Sequence, residues 1–413
     1  MILNPAAPDS ILRHRPFALY WAARTCAAMG FQMLGVAVAW QMYALTGSAF
    51  DLGLVGLTQF LPSAAFMLVA GQVADRYHRR RLLQICQIIE GLAAAALAIG
   101  AMSGWASKAS ILATVFVFGV GRAFDAPTQQ TLLATVVQGP LFPRAVAASA
   151  STTQVATITG PAIGGFLYAF GAVVPFTVCA ALFLTSVVLL AFVHIAPPGG
   201  KRSPINLSAF FAGIAYIRHS PIVLGVISLD LFAVLLGGAT ALLPIFADEV
   251  FHLGPEGLGL LRAAPAAGAL TIMALLTTSP LTRRVGHVMF VSVACFGVAT
   301  IVFALSTSFA LSMLALAVLG ASDAVSVVIR MAMVQTRTPH EMLGRVMAVN
   351  SMCTGTSGTL GEFRSGVVAA GLGAVWAVAL GGIGALLVVA LWMRLFPDLV
   401  RIKSVAPDRS EMA

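Results

Sequence analysis

Long apolar stretches, each of about 20 residues or more, follow one another along almost the whole chain and restrict the folds it can adopt. A helix needs about 20 apolar residues to cross a bilayer. Of the 413 residues, 59% are hydrophobic and only 9% are charged, whereas an average soluble domain carries roughly 25% charged residues. Such a chain cannot cover a water-exposed surface, and disorder requires the opposite balance. The apolar runs are continuous rather than alternating, which disfavours a β-barrel.

Charged residues and clusters of Pro and Gly divide the chain into twelve predicted transmembrane helices. The longest polar interruption, residues 197–220, predicts a linker between a six-helix bundle at 1–196 and a second at 221–396, followed by a tail at 397–413. We therefore expect an all-α polytopic membrane protein. The predicted spans are residues 17–45, 50–74, 82–104, 109–136, 143–170, 173–196, 221–247, 257–281, 287–306, 309–335, 342–370 and 373–396.

The distribution of basic residues predicts the orientation of these spans. Eighteen of the 24 Lys and Arg residues fall on the side of the N-terminus, and one, Lys108, falls in a loop on the opposite side. Cytoplasmic loops carry the excess of basic residues in membrane proteins. Both termini, the linker and the tail are therefore predicted to be cytoplasmic, in a bacterial inner membrane. The same bias accounts for the net charge of +9 without a nucleic-acid partner.

An internal repeat relates the two predicted halves. Segment 56–62 resembles segment 259–265, and the glycines that bound segment 160–165 recur 201 residues later at 361–366. Chance similarity between Gly- and Ala-rich helices is the alternative. Duplicated bundles around a central cavity are the usual construction of secondary transporters.

The polar residues do not form a recognisable catalytic or metal-binding pattern. The five cysteines lie in apolar stretches without a CxxC or CxxH partner, so we read them as small buried side chains without a disulfide or metal role. No Walker loop, HExxH, Asp-rich diphosphate site or G-x-S-x-G with partners occurs. We expect neither an enzyme nor a bound cofactor or metal.

The loop after the second span carries a specific motif, Gly71-Gln-Val-Ala-Asp75-Arg76-Tyr-His-Arg79-Arg80. It resembles the G-x-x-x-D-R-x-x-R-R signature of the major facilitator superfamily, except that His78 stands where the family usually has Gly. The resemblance covers the whole chain and implies the major facilitator fold, with transport by alternating access. It also implies that this loop acts as a gating latch, in which Gly71 permits close helix approach.

Two further motifs add to the resemblance. Arg122-Ala-Phe-Asp125-Ala resembles the family's R-x-x-Q-G motif, with Asp for Gln and Ala for Gly, and we group Asp125 with the gating residues. A structural ion pair between Arg122 and Asp125 is the alternative to a proton-relay role. Gly160-Pro161-Ala-Ile-Gly164-Gly165 resembles the G-P-x-x-G-G motif of drug-exporting members, and its small residues predict close helix packing. Within the superfamily this motif favours export by antiport.

Segments such as 241–246 and 361–366 resemble the enterobactin-exporter branch of the superfamily. This resemblance implies proton-coupled export of a siderophore or a similar amphiphilic molecule by a monomer in the bilayer. A broad-specificity drug exporter and an importer of a small organic solute stay open as alternatives.

Ionisable residues within the spans are the candidates for chemistry, because each costs ~3 kcal/mol or more at the bilayer centre. Asp230 lies nine residues into the seventh span. At ~1.5 Å per residue this places it ~14 Å from the start of the helix, close to the middle of the bilayer. No other charged residue lies within a turn of it on the same helix. We predict that it carries proton coupling, with an ion pair to an arginine of another helix as the alternative. Asp323 and Glu362 are the further predicted proton-coupling residues.

Buried arginines are the predicted substrate contacts, since they suit an anionic amphiphile such as a catecholate better than a small cation. These residues are Arg24, Arg122 and Arg330. Arg330 shares a helix face with Asp323 but lies seven residues, or ~10 Å, along the axis, which predicts no direct bond. Arg24 and Glu90 are close enough to the ends of their spans to extend towards the membrane surface.

Overall fold

The computed structural model describes residues 14–137, 141–193, 207–278 and 284–404, and these residues are mostly helical with no β-strand. Ten of the described helical segments are long and apolar enough to cross a membrane. Two more, α5 (Phe142–Tyr168) and α13 (His340–Leu372), have the length of a span but are rich in Ser, Thr and Gly. A long helical segment therefore stands at each of the twelve predicted spans.

Contacts between helices group the chain into two compact units. The first comprises Met1–Val38 and Thr58–Ser203, and the second comprises Ala39–Leu57 and Pro204–Ala413. The helices of the N-terminal part are α1 (Arg15–Thr46), α2 (Ala49–Arg76), α3 (Arg79–Ser103), α4 (Lys108–Val136), α5 and α6 (Val173–Ala191). Those from the linker onwards are α7 (Leu207–His219), α8 (Pro221–Gly237), α9 (Leu243–Ile245), α10 (Pro255–Thr278), α11 (Val285–Leu305), α12 (Phe309–Arg337), α13, α14 (Ala374–Leu395) and α15 (Pro397–Arg401).

The first unit is held together by apolar side chains from most of its helices. Phe17 and Tyr20 of α1 pack in one cluster with Leu83 of α3, Leu132 of α4 and Leu190 of α6, each no more than 1% exposed. Burying one such side chain contributes about 1.5–3 kcal/mol when the alternative is water. In a bilayer that driving force is absent between helices, so close van der Waals packing carries their association.

Short-range signals explain several helix ends of this unit. Ser107 and Ser110 form a capping box at the start of α4, which satisfies backbone N–H groups that have no partner within the helix. Gly104 ends α3 with φ +73°, a left-handed conformation that glycine adopts without steric cost. Helix α6 ends at Ala191, five residues before the predicted end of the span, and Arg80 Nη1 donates to the Ala191 and Val193 carbonyls there.

The second unit has its own core, and the helix that carries Asp230 is interrupted beside it. The core joins α8, α11, α12, α13 and α14 through buried side chains such as Leu229, Met289 and Ile329. After Gly237 the regular helix stops, and the chain continues as a 3₁₀ turn (Thr240–Leu242), α9 and a π-helical turn (Phe246–Val250). The unpaired backbone groups of such a break are tolerated at membrane depth only where neighbouring helices satisfy them.

Part of the predicted linker is structured. Helix α7 packs against α13, and Tyr216 Oη of α7 donates to the Arg337 carbonyl at the end of α12 (3.0 Å). Because the described residues from 207 onwards group with the second unit, this helix belongs to that unit. Residues 194–206 lie outside the described part of the chain.

Candidate proton and substrate sites

A buried ion pair lies at the predicted depth in the second unit. Arg330 Nη1 of α12 pairs with Asp230 Oδ1 of α8, and Thr354 Oγ1 of α13 donates to Asp230 Oδ2 (2.9 Å). Asp230 is 8% exposed and Arg330 is 6% exposed. Of the two possibilities that the sequence left open for Asp230, the structure contains the ion pair to another helix. The carboxylate and guanidinium thus screen each other's charge where water has little access.

A second carboxylate competes for the same arginine, which corrects one expectation. Arg330 Nη2 lies 3.7 Å from Asp323 Oδ1, although the two residues are seven positions apart on α12. Helical Cα–Cβ bonds tilt towards the N-terminus, so a long arginine side chain extends back along its own helix towards an earlier residue. The prediction that axial distance prevents contact was wrong because it ignored this direction.

The cluster of Asp230, Asp323 and Arg330 holds two carboxylates and one guanidinium, so it carries one surplus negative charge when both acids are ionised. A pocket of about 10 Å³ is lined by all three residues and by apolar side chains that include Phe296. That volume corresponds to about one water molecule. One proton would neutralise the cluster.

The first unit contains a second charged network on α4. Arg122 Nη1 donates to Asp125 Oδ2 (2.8 Å), which also accepts from Gln129 Nε2 (2.6 Å). Asp125 is fully buried, whereas the Arg122 side chain is 32% exposed and lies 4.2 Å above the Phe31 ring. A guanidinium over an aromatic face gains a favourable cation–π interaction. Arg122 is therefore held by an acid on one side and a ring on the other, with part of its surface free.

Arg24 of α1 extends this network and does not extend towards the membrane surface. Its Nη1 donates to Gln129 Oε1 (2.5 Å), and its Nη2 donates to Thr153 Oγ1 of α5 (3.1 Å). The expectation of a snorkelling side chain was wrong, because Nη1 and Nη2 both bind polar side chains of neighbouring helices. Arg24 and Arg122 thereby reach Asp125 and its neighbour Gln129 from two helices.

The two networks occupy related places in the internal repeat with opposite charge. Thr153 and Thr354 are 201 residues apart, the offset that also separates the glycine motifs of α5 and α13. Thr153 accepts from a cation of the first span, Arg24, while Thr354 donates to an anion of the seventh span, Asp230. A hydroxyl can do both. Neither threonine was predicted from the sequence, although the repeat offset relates these two polar residues of α5 and α13 directly.

Two charged residues of α13 bind the interrupted end of α8. Thr240 Oγ1 donates to Glu362 Oε1 (3.0 Å), and Arg364 Nη2 donates to the Leu236 carbonyl (2.5 Å). Leu236 is in the last turn of α8, where carbonyls lack intrahelical partners. Glu362 therefore lies at the helix break, apart from the cluster around Arg330, and the structure does not bring the three predicted proton-coupling acids together.

The arginines of the loop between α2 and α3 bind helix ends. Arg79 Nη1 donates to the Thr131 carbonyl (3.5 Å) and to Thr135 Oγ1 in the last two turns of α4, as Arg80 does at the end of α6. Basic side chains are favourable there because the C-terminal end of a helix is partially negative.

The side chains of Asp75 and Arg76 lie outside the described part of the structure. No described atom lies within 4 Å of a Cβ built on Gly71, so the expected close approach is not seen there.

The Gly-Pro motif of α5 packs against α1. A Cβ on Gly160 would lie 2.6 Å from Gln32 Cβ, and one on Gly164 would lie 2.9 Å from Met33 Cα. Pro161 and Gly165 are also buried.

The described residues hold no group of three or more His, Cys, Asp or Glu side chains that could bind a metal ion.

Comparison with known families settles the class of the chain. The family model described as transmembrane secretion effector matches residues 6–410. The chain belongs to this family. It is therefore a transporter of the major facilitator superfamily, and the expectation that it is not an enzyme is confirmed by its family.

Curated relatives match over nearly the full length. The enterobactin exporter EntS of Escherichia coli O1:K1 and that of Shigella boydii serotype 4 are each 28% identical over 411 residues, covering 97% of this chain and 96% of the relative. EntS of Citrobacter koseri is 28% identical over 410 residues, covering 96% of each chain.

Solved structures confirm the fold. A bacterial homologue of the human lysosomal transporter spinster, in an inward-facing occupied conformation, matches with a TM-score of 0.74 at 13% identity, covering 95% of this chain and 99% of that one. The nucleoside transporter NupG matches with a TM-score of 0.68 at 14% identity, covering 94% and 99%. At these identities the likeness concerns the fold, which is the major facilitator fold predicted from the loop motif.

Proposed function

We propose that this protein exports a siderophore, or a similar anionic amphiphile, from the cytoplasm in exchange for protons. The observation that carries the proposal is the match to enterobactin exporters over 97% of the chain. The G-P-x-x-G-G motif of α5 supports export by antiport. We place both termini in the cytoplasm on the strength of the loop charges, and we expect a monomer.

Proton coupling is assigned to the cluster of Asp230, Asp323 and Arg330. Arg330 contacts both acids but carries only one positive charge, so one negative charge is left to take up a proton. Protonation removes the surplus charge, and it weakens the hold of the acids on Arg330. A side chain released in this way can change its partner, which is what a transporter needs to couple proton binding to a change of conformation. Glu362, bound to Thr240 at the α8 break, is the third candidate.

Substrate binding is assigned to the arginines of the two networks. Arg122 is only partly buried and keeps free surface beside the Phe31 ring. A catecholate presents both an anionic edge and an aromatic face, and these suit a guanidinium next to a ring. Arg24 and Arg330 are the further proposed contacts.

The loop residues Gly71, Asp75, Arg76, Arg79 and Arg80 are proposed to act in gating with Asp125.

Reconstitution tests the proposal. The purified protein in liposomes with an imposed pH gradient should drive enterobactin uphill into vesicles oriented to receive it, and a protonophore should abolish the accumulation. Liposomes without protein are the control for leakage. A broad drug exporter would instead move cationic dyes and leave enterobactin in place, and that result would overturn the substrate assignment.

A further inference from the structure

Glu90 is a buried acid for which neither the loop motif nor the proton cluster of the second unit has a use. It lies near the middle of α3 (Arg79–Ser103) and is 1% exposed. At about 1.5 Å per residue, the two ends of the helix are roughly 17 and 20 Å away. The expectation that Glu90 extends to the membrane surface was wrong, because the side chain is enclosed between helices.

The surroundings of Glu90 leave part of its carboxyl group without a hydrogen-bond partner. Its Oε1 atom is buried and accepts no hydrogen bond. On one side Gly121 of α4 makes room for it, since a Cβ there would lie 3.1 Å from Glu90 Cγ. The next residue of α3, Gly91, packs against Phe183 and Leu184 of α6, so α6 presents apolar side chains at the neighbouring position. An ionised carboxylate in such a site is costly unless it is paired.

The charged groups that act on Glu90 come from α4. They are Asp125 and Arg122, and Asp125 lies one turn beyond Gly121 on the same helix face. Helix α6 contributes no acid or base other than the thiol of Cys179, and on α3 itself the nearest titratable group is Cys86. Arg24 of α1 acts on Asp125.

The first unit therefore also holds two acids near one arginine, Arg122. That arginine is already bound to Asp125 at 2.8 Å, while Arg24 reaches the same network through Gln129. The Asp125 Oδ1 atom is also buried without a hydrogen-bond donor. With both acids ionised, Asp125 has the ion pair to Arg122 and Glu90 has no ion pair of its own among the described residues, so a proton on Glu90 would remove an unpaired buried charge.

We propose that Glu90 is a second proton-binding site of this transporter, independent of the cluster around Arg330. The ligand is a proton exchanged on the carboxyl of Glu90, with Asp125 and Arg122 determining how tightly it is held. When Glu90 is protonated, Arg122 has Asp125 as its acid partner, which is the pairing in this structure. When Glu90 is ionised, both acids compete for Arg122.

Infrared difference spectroscopy of the full-length protein in lipid, titrated from acid to alkaline pH in H₂O and D₂O, tests the proposal without any substrate. We expect a protonated-carboxyl band that shifts in D₂O and is absent from Glu90→Gln. Glu341→Gln, which removes an exposed acid in the first turn of α13, is the matched control and should keep the band. A spectrum of Glu90→Gln identical to that of the wild type would overturn the proposal.

A second variant covers the case in which Glu90→Gln does not fold. Asp125→Asn removes the competing acid and leaves Arg122 to Glu90, so Glu90 should ionise more readily and its band should disappear at a lower pH than in the wild type. An unchanged titration of the band in Asp125→Asn would also overturn the proposal. Because neither measurement uses a substrate, failure here is distinguishable from failure of the enterobactin transport assay.

Discussion

Thr354 tests whether Asp230 is the acid whose protonation drives transport. Its hydroxyl donates to Asp230 Oδ2 at 2.9 Å, a bond that favours the ionised carboxylate. A hydrogen bond to a charged group is worth about 1.5–3 kcal/mol, and one pH unit corresponds to 1.36 kcal/mol. Thr354→Val should therefore move the pH profile of proton-driven flux by about one to two pH units towards alkaline pH.

The assay is the pH profile of proton-driven flux in proteoliposomes, measured with the same gradient at each pH. At acidic pH the proton-driven flux should change little. The midpoint of the pH profile should move towards alkaline pH. Thr354→Ser, which restores the donor, should return the wild-type midpoint. Thr359→Val on the same helix, whose hydroxyl is exposed and bonds its own backbone at Gly355, is the matched control. If Thr354→Val and Thr359→Val have the same midpoint as the wild type, Asp230 does not set the pH dependence.

Three further outcomes follow from the structure and the loop motif. Asp75→Asn should slow transport without abolishing substrate binding, because the motif lies in a loop away from the buried clusters; equal loss of binding and transport would place Asp75 in the substrate site. Gly361→Ala should lower stability in detergent by about 1–3 kcal/mol, since its Cβ would lie 2.7 Å from the Val234 carbonyl. Gly358→Ala on the same helix faces no atom within 4 Å and should be neutral or stabilising. A single cysteine placed at Lys201 should react with membrane-impermeant reagents only from the cytoplasmic side, and labelling from outside would contradict the predicted topology.

The helices could be predicted from the sequence because apolar length is a local property. The predicted start of the seventh span at residue 221 coincides with the start of α8 at Pro221. The interruption after Gly237 was not predicted. In the sequence, the Gly237-Gly238 pair marks this interruption. Contacts with another helix stabilise it, since Arg364 of α13 binds the Leu236 carbonyl and Glu362 of α13 binds the Thr240 hydroxyl.

The charged clusters could be predicted only in part, because pairing depends on which helices are neighbours. Asp230 stands out as an isolated acid in an apolar span, but nothing on α8 indicates that Arg330, 100 residues later, is its partner. The burial of Glu90 was not predicted for a related reason. Its position along α3 is known from the sequence, but the face of α3 that α4 and α6 cover is not. The direction of an arginine side chain on its own helix, in contrast, was predictable and would have paired Arg330 with Asp323.

The central claim is that Asp230 couples substrate movement to protons, and Asp230→Asn tests it most directly. Paired measurements in proteoliposomes would record enterobactin flux driven by a pH gradient and enterobactin exchange down its own gradient without one. The Asn side chain resembles the protonated acid, cannot release a proton and leaves Asp323 beside Arg330. We expect pH-driven flux to vanish while exchange persists. Unchanged pH-driven flux in Asp230→Asn would contradict the account and transfer the coupling role to Asp323 or Glu362.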